Sequence, residues 1–303
     1  MNFMEDEKVT DRVKNFYNQV GWQPDETGVY QNASYEDLRF VSHEYVHRCH
    51  MRVNRYLVKQ GGFLLDAGSG PVQYPEYVTY SDGYKKRVCM DLSIVALVEA
   101  RKRLGEKGIY VVGDISRLPF KQAAFDGIVS LHTIHHLPIE EKVPAYEGLF
   151  RCLKPGKSMV TVDGWGYAPL MSLASRFFPK VERMLAKKSP NKSKVSNLSF
   201  GNDDKQRDCV NQALNQTRAG TFVQKTDAKW LISALRGRIP FKILVWRSVS
   251  THFLRTMIQP EWGGRFWLRV LYCLEEVFPR FLGENGQYPL LVCKKAFVKV
   301  NNE

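Results

Sequence analysis

The sequence predicts an α/β protein built on a doubly wound, seven-stranded, mostly parallel sheet whose last strand runs antiparallel. Three observations lead there. From residue 63 onward, short apolar runs alternate with amphipathic helical stretches, a grammar that requires helical crossovers between parallel strands. The first run, FLLDAGSGPVQYP at 63–75, drops into two glycines one residue apart, as a ligand-bearing turn at the carboxyl end of a strand does. Carboxylates recur where the first three strands end, at Asp66, Asp91 and Asp114.

Each element follows from local pattern. Val9, Val13, Phe16, Tyr17 and Val20 recur at helical spacing until GWQPDETG breaks it. Ser34 with Asp37 forms a capping-box start for a second helix running towards Lys59. FLLDA is a short buried strand and RVCMDLS a second. SIVALVEARKRLGEKG is an amphipathic helix closed by glycine. IYVVGD and FDGIVSLH are the third and fourth strands, EEKVPAYEGLFRCLKPG a helix with a Pro-Gly stop, and KSMVTVDGW the fifth strand. Further on, FKILVWRSVS reads as a strand, GRFWLRVLYCLEEVFPRFLG as one apolar-faced helix, and YPLLVCKKAFVKV as the final strand. The organisation expected is an N-terminal helical cap over 1–60, a core formed by 61–165 with 238–303, and a basic helical insertion over 166–237.

Bulk properties narrow the class. At 303 residues the chain can bury one large core. No apolar run is long enough to span a membrane, and the acidic MNFMEDEKVTDR lacks an apolar signal core. Six scattered cysteines without a CxxC pair fit a reduced, cytoplasmic protein. The net charge of +13 is uneven, because residues 176–225 carry eleven Lys or Arg against four Asp or Glu. That excess fits a solvated insertion or a surface for an anionic partner.

The strand-end carboxylates decide the cofactor. A dinucleotide fingerprint needs a third glycine where Gln73 stands. Asp91 can accept hydrogen bonds from two vicinal ribose hydroxyls. Asp114 can accept from an exocyclic adenine amine, with Leu92 and Ile115 giving flat apolar contact to the ring. Asp66 would repel a pyrophosphate at the glycine turn, yet suits a cofactor with an ammonium and no phosphate. S-adenosylmethionine, leaving as S-adenosylhomocysteine, meets those conditions.

The blocks LLDAGSG, VCMDLS, VVGDISRLPF, FDGIVSLHTIHHL and LFRCLKPGKSMVTVD occur in order with sensible spacing. Over about residues 63–165, and more loosely 241–298, the chain resembles the class I S-adenosylmethionine-dependent methyltransferases, close to the ubiquinone/menaquinone-biosynthesis (type 11) group. The resemblance implies a Rossmann-like methyltransferase fold. It places Asp66 near the methionine end, Gly68 and Gly70 in the turn, Asp91 on the ribose and Asp114 on the adenine. Ala67, Leu92, Ile115, Leu131 and His132 complete the expected cofactor set. Pro71-Val72-Gln73 departs from the family, which usually has another glycine there, and leaves the start of the next helix open.

Six of seven histidines fall in two clusters: His43, His47 and His50, and His132, His135 and His136. Histidine titrates near neutrality and can remove an acceptor's proton. His132 and His135 lead as candidate bases, followed by His43, His47 and Tyr17, while His136 is assigned a structural role. HEYVH at 43–47 also fits a zinc-hydrolase pattern. The extended form of that pattern needs histidine where Val53 stands, and no metal site is expected. An RNA methyltransferase is the nearer alternative, resting on net charge alone, since no [DN]PP[YF] follows the fourth strand. The favoured reading is methyl transfer to an oxygen or carbon of a small, apolar or ring-bearing acceptor, with nucleic acid disfavoured. The basic amphipathic MSLASRFFPKVERMLAKK offers peripheral contact with the inner membrane face.

Overall fold

A computed structural model describes residues 9–23, 30, 35–188 and 221–297. Its centre is one seven-stranded sheet of order β3-β2-β1-β4-β5-β7-β6. The strands are β1 (Gly61–Ala67), β2 (Tyr84–Asp91), β3 (Gly108–Val112), β4 (Gly127–Leu131), β5 (Ser158–Val162), β6 (Phe241–Arg247) and β7 (Tyr288–Lys294). β1 to β5 pair in parallel, and β7 lies antiparallel between β5 and β6. This is the sheet expected from the sequence.

The reason for the continuous apolar runs is plain from the two core clusters. Leu65, Met90, Ile128 and Met159 face one side of the sheet, and Leu64, Cys89, Val129 and Val160 face the other. A strand buried on both faces has no polar alternation to show. Truncating a fully buried leucine such as Leu65 costs about 2–5 kcal/mol.

Helices cover both faces: α1 (Val9–Phe16), α2 (His43–Met51), α3 (Pro75–Thr79), α4 (Ile94–Leu104), α5 (Ile139–Cys152), α6 (Pro169–Ser175), α7 (Phe178–Lys188), α8 (Ala228–Leu235), α9 (Thr251–Met257), α10 (Gly264–Val277) and α11 (Pro279–Asn285). Gly105 closes α4 at φ +50°. The first helix passes directly into a π-turn at Tyr17–Gly21.

Several expectations change here. The second helix starts at His43, and a 3-10 turn, Arg52–Tyr56, follows it. Asp37 caps no helix from residue 34. It accepts hydrogen bonds from the Ser42 hydroxyl at 2.6 Å and from the Arg39 guanidinium, so it organises a turn, and Ser34 lies outside the described residues. GRFWLRVLYCLEEVFPRFLG divides into α10 and α11 because Pro279 has no N–H to donate and pushes Phe278 out of the helical region. MSLASRFFPKVERMLAKK likewise divides into α6 and α7. The glycine turn is followed only by the five-residue α3, delayed by Pro71-Val72-Gln73. α8 falls within the expected insertion, yet Leu231 and Leu235 are buried in the main core with Leu149. Part of the insertion, residues 189–220, lies outside the described residues. The N-terminal cap does not stand alone, since Tyr45, Val46 and Cys49 of α2 pack with Leu254 of α9 and Leu268 of α10.

Candidate active site

One large cleft opens at the carboxyl ends of β1 to β4, with a cavity volume of about 190 Å³. Its floor is the turn after β1. Gly68 and Gly70 hold φ of +73° and +54°, a region glycine enters without strain. A Cβ on Gly68 would stand 2.2 Å from the Thr133 side chain after β4, and one on Gly70 would stand 3.0 Å from the Trp22 indole. The turn is therefore clamped between the β4 end and the N-terminal cap. Val72 takes φ +54° as well, a strained choice for a β-branched residue.

Asp91 fixes this turn from β2. Its carboxylate accepts from the Gly70 amide at 2.9 Å and the Ser93 amide at 2.8 Å. Burial raises its pKa to about 6 against the pull of those amides. Asp114 accepts from the Ser116 amide at 2.8 Å, and Leu92, Ile115 and Leu131 complete an apolar wall. Ala67 is fully buried beneath the turn and does not line the cleft; its carbonyl accepts from Ser130 at 2.8 Å.

Asp66 lines the cleft but its charge is already met. Arg87, buried on β2, donates to Asp66 Oδ2 through Nε at 3.1 Å and through its terminal nitrogen, and also to the Tyr77 carbonyl. A carboxylate balanced by a buried guanidinium attracts an ammonium less than a free one. Among the described residues, three cleft-lining side chains have a buried atom without a hydrogen-bond partner: the donors Trp22 Nε1 and Arg247 Nε, and, with Trp22 beside the glycine turn, the acceptor Gln73 Oε1. A donor and an acceptor beside the glycine turn suit the carboxylate and ammonium of an amino acid.

The histidines separate sharply. His132 holds φ +55° at the end of β4, and its amide donates to the Val162 carbonyl at 2.7 Å. Its ring lies edge-on to Trp246 and Tyr288, with centroids 5.2 Å and 5.8 Å away, and makes no hydrogen bond. Burial lowers its pKa to about 4, so the imidazole is neutral with an uncommitted lone pair. His135 is turned out of the cleft and pairs with Asp163 in a separate small cavity, which removes it as a base acting on a ligand in the cleft. His43 is exposed on α2, and His47 bonds Glu76 at 2.6 Å; neither lines the cleft. No group of three or more His, Cys, Asp or Glu is placed to hold a metal among the described residues, and HEYVH finds no zinc geometry.

Tyr17 reaches the cleft, but in another role than base. Its hydroxyl donates to His136 Nε2 at 2.8 Å, while His136 Nδ1–H donates to the Phe222 carbonyl at 2.8 Å. Burial raises the Tyr17 pKa and lowers that of His136 to about 3. Both protons are held, and the pair latches the N-terminal cap and the 221–226 segment onto the β4 end.

Residues not singled out from sequence build the far end. Glu36 and Arg247 form a buried ion pair in the cleft wall, flanked by Tyr74, Tyr77 and Tyr288. His50 is buried between Glu36 at 3.4 Å and Glu76 at 3.5 Å and stacks on Trp246. An arginine inside the apolar strand FKILVWR was a legible signal for Arg247; nothing local marked Glu36.

This sheet order, with carboxylates at successive strand ends, is that of the Rossmann-like methyltransferase fold. Residues 65–161 match the methyltransferase domain family Methyltransf_11. Over these residues the chain is similar to the type 11 group of class I methyltransferases, whose cofactor is S-adenosylmethionine. The chain is 28% identical to 24-methylenesterol C-methyltransferase 3 of Arabidopsis thaliana over 170 residues, 52% of this chain and 45% of that protein. It spans less than half the length of the curated relatives it matches. Among solved structures, phosphoethanolamine N-methyltransferase 1 of Haemonchus contortus, bound to phosphoethanolamine and S-adenosylhomocysteine, superposes with a TM-score of 0.54 at 11% identity, covering 97% of this chain and 50% of that one. Geranyl diphosphate C-methyltransferase from Streptomyces coelicolor superposes with a TM-score of 0.50 at 14% identity, covering 96% and 99%. These likenesses are of fold.

Proposed function

We propose that the chain transfers the methyl group of S-adenosylmethionine to an oxygen or carbon of a small, apolar or ring-bearing acceptor, with His132 as the base that removes the acceptor's proton. The observation that carries this reading is His132 itself: a neutral, unbonded imidazole held in a strained backbone conformation inside the cleft. Strain of that kind persists where the surroundings enforce it, and it clusters at functional sites.

The cofactor supplies an electrophilic methyl on a sulfonium, and the chain's residues align and exclude water. Asp91 would take the ribose hydroxyls, Asp114 with Leu92 and Ile115 the adenine, and Trp22 with Gln73 the amino-acid end. Asp66 serves that end through its pairing with Arg87, which keeps the β1 carboxylate fixed beneath the turn. The acceptor lies beyond, against His132, Tyr74, Tyr77 and Tyr288. Aromatic walls there suit a ring or an apolar chain. The plant relative, a sterol C-methyltransferase by name, accords with an apolar acceptor.

The test is incubation of the purified chain with methyl-labelled S-adenosylmethionine and a cell extract, followed by phase partition. Label entering the organic phase is expected. Label in nuclease-sensitive material, or none transferred, would overturn the reading.

A further inference from the structure

Exposed apolar side chains form a band over three contacting helical segments, beginning with Tyr35 at the cleft. Tyr35 lines the cleft and is 70% exposed, and Leu38 and Phe40 follow it on the same loop, Phe40 at 80%. Arg265, in the first turn of α10, lies over the Phe40 ring at 4.0 Å, and Phe266 and Trp267 beside it are exposed. In the other direction the loop is bound to α9: Thr251 donates to the Tyr35 carbonyl at 2.5 Å, and Arg39 donates to the Leu254 carbonyl at 2.7 Å. α9 in turn carries α7, through Phe178 packed on His252 and Phe253. There Phe177 and Met184 are exposed. Hydrogen bonds and ring packing thus tie together three distant stretches of chain, each of which presents exposed apolar side chains.

Cations are interleaved with it. Arg176, Lys180 and Arg183 stand exposed around α7, and Arg255, Arg265 and Arg269 around α9 and α10. The exposed acids on or beside these helices are Glu44, Glu182, Glu261 and Glu276; Glu44 is paired with Arg269 at 3.0 Å, Glu182 with His252 at 3.5 Å and Glu276 with Arg55 at 2.6 Å. A positive face does not suit a second copy of this chain, because a two-fold interface would set the same cations against themselves. Aromatic residues interleaved with Lys and Arg suit the headgroup level of an anionic bilayer, where rings enter the interface and cations meet lipid phosphates.

We propose that this band, and not the basic insertion alone, docks the protein on an anionic lipid bilayer, so that an amphiphilic acceptor enters the cleft past Tyr35. The route for the acceptor rests on the function proposed above; the docking itself does not. No described helix is long and apolar enough to cross the membrane, so attachment is at the surface.

The test is flotation of the full chain with vesicles of phosphatidylcholine alone and of phosphatidylcholine mixed equally with phosphatidylglycerol. The wild type should float with the mixed vesicles only and be released by salt. The double variant Phe40→Ser/Trp267→Ser should lose about tenfold or more of its vesicle partition. Neither residue lines the cleft, so calorimetric binding of S-adenosylhomocysteine should be unchanged and would show that the variant is folded. No flotation of the wild type, or equal flotation of the variant, would overturn the proposal. So would light scattering that finds a wild-type dimer which the variant dissolves. If the wild type floats but does not bind S-adenosylhomocysteine, the docking surface stands and the methyltransferase reading falls.

Discussion

His132 combines a left-handed backbone, a position in the cleft and a neutral ring. Asparagine tolerates that backbone region, so His132→Asn removes the base while sparing the turn. Turnover should fall by about a hundredfold or more, with S-adenosylhomocysteine affinity little changed in calorimetry. The pH dependence follows from the lowered pKa: kcat at saturating cofactor should stay flat through neutrality and fall only as the pH drops through about 4, whereas kcat/KM should also decline through about 6 as Asp91 takes up a proton in the free protein. An inflection of kcat near neutrality would point to another base. Asp66 and Arg87 make a second residue-scale case. Arg87→Met leaves a buried carboxylate without its partner, and urea unfolding should show a loss of about 3–5 kcal/mol. Adding Asp66→Asn should recover part of that loss.

At the scale of elements, the cleft is held by contacts that join its cap to its floor. Tyr17 from the π-turn after α1, His136 after β4 and Phe222 beyond α7 form one hydrogen-bonded chain. Tyr17→Phe leaves the buried Nε2 of His136 without its donor, at a cost of about 1–3 kcal/mol, and should weaken cofactor affinity more than it slows the bound complex. A titration that finds affinity unchanged would mean that the latch plays no part in closing the cleft. Glu275 is the comparable hub on α10. It accepts from Tyr45 of α2 at 2.7 Å, from the Ser248 amide at 2.7 Å and from Arg52 at 2.8 Å. Its burial with Arg52 means that Glu275→Ala should unfold with a loss of about 3–5 kcal/mol, freeing the cap helices from the end of β6.

The whole molecule should be most stable slightly below neutrality. His132 and His136 are held neutral in the fold, with pKa values down to about 4 and 3 from an ordinary 6.5. The unfolded chain therefore binds more protons as pH falls below 6.5, and stability declines. Glu76 adds to that decline: despite burial, the nearby His50 ring and the hydrogen bond with His47 lower its pKa from 4.5 to about 2, and its contribution is lost as pH falls through that interval. His50 acts in the opposite sense. Its hydrogen bond to Glu36 and its closeness to the Glu76 carboxylate raise its pKa against burial, so its contribution is present below 6.5 and lost as pH rises through the higher folded value. Thermal unfolding across pH should give a maximum near 6.5, with His50→Gln flattening the alkaline limb; an unchanged limb would remove His50 from the account.

Local chemistry in the sequence determined the sheet, the glycine turn and the carboxylates at the strand ends. Strands buried on both faces must be apolar throughout, and a ligand turn needs glycine, so Gly68, Gly70, Asp91 and Asp114 were legible without coordinates. Helix breaks were less so: Pro279 and Pro179 sit inside apolar-periodic stretches, and periodicity outweighed them. Only the tertiary structure decided where each histidine ring lies. His135 and His136 are neighbours in one 3-10 turn, and the turn aims the first at Asp163 and the second at Tyr17. Nor could the sequence join Glu36, His50, Glu76 and Arg247, which lie far apart along the chain. Their pairing exists because burying any one of those charges alone is unfavourable, and that constraint acts only once the fold has brought them together.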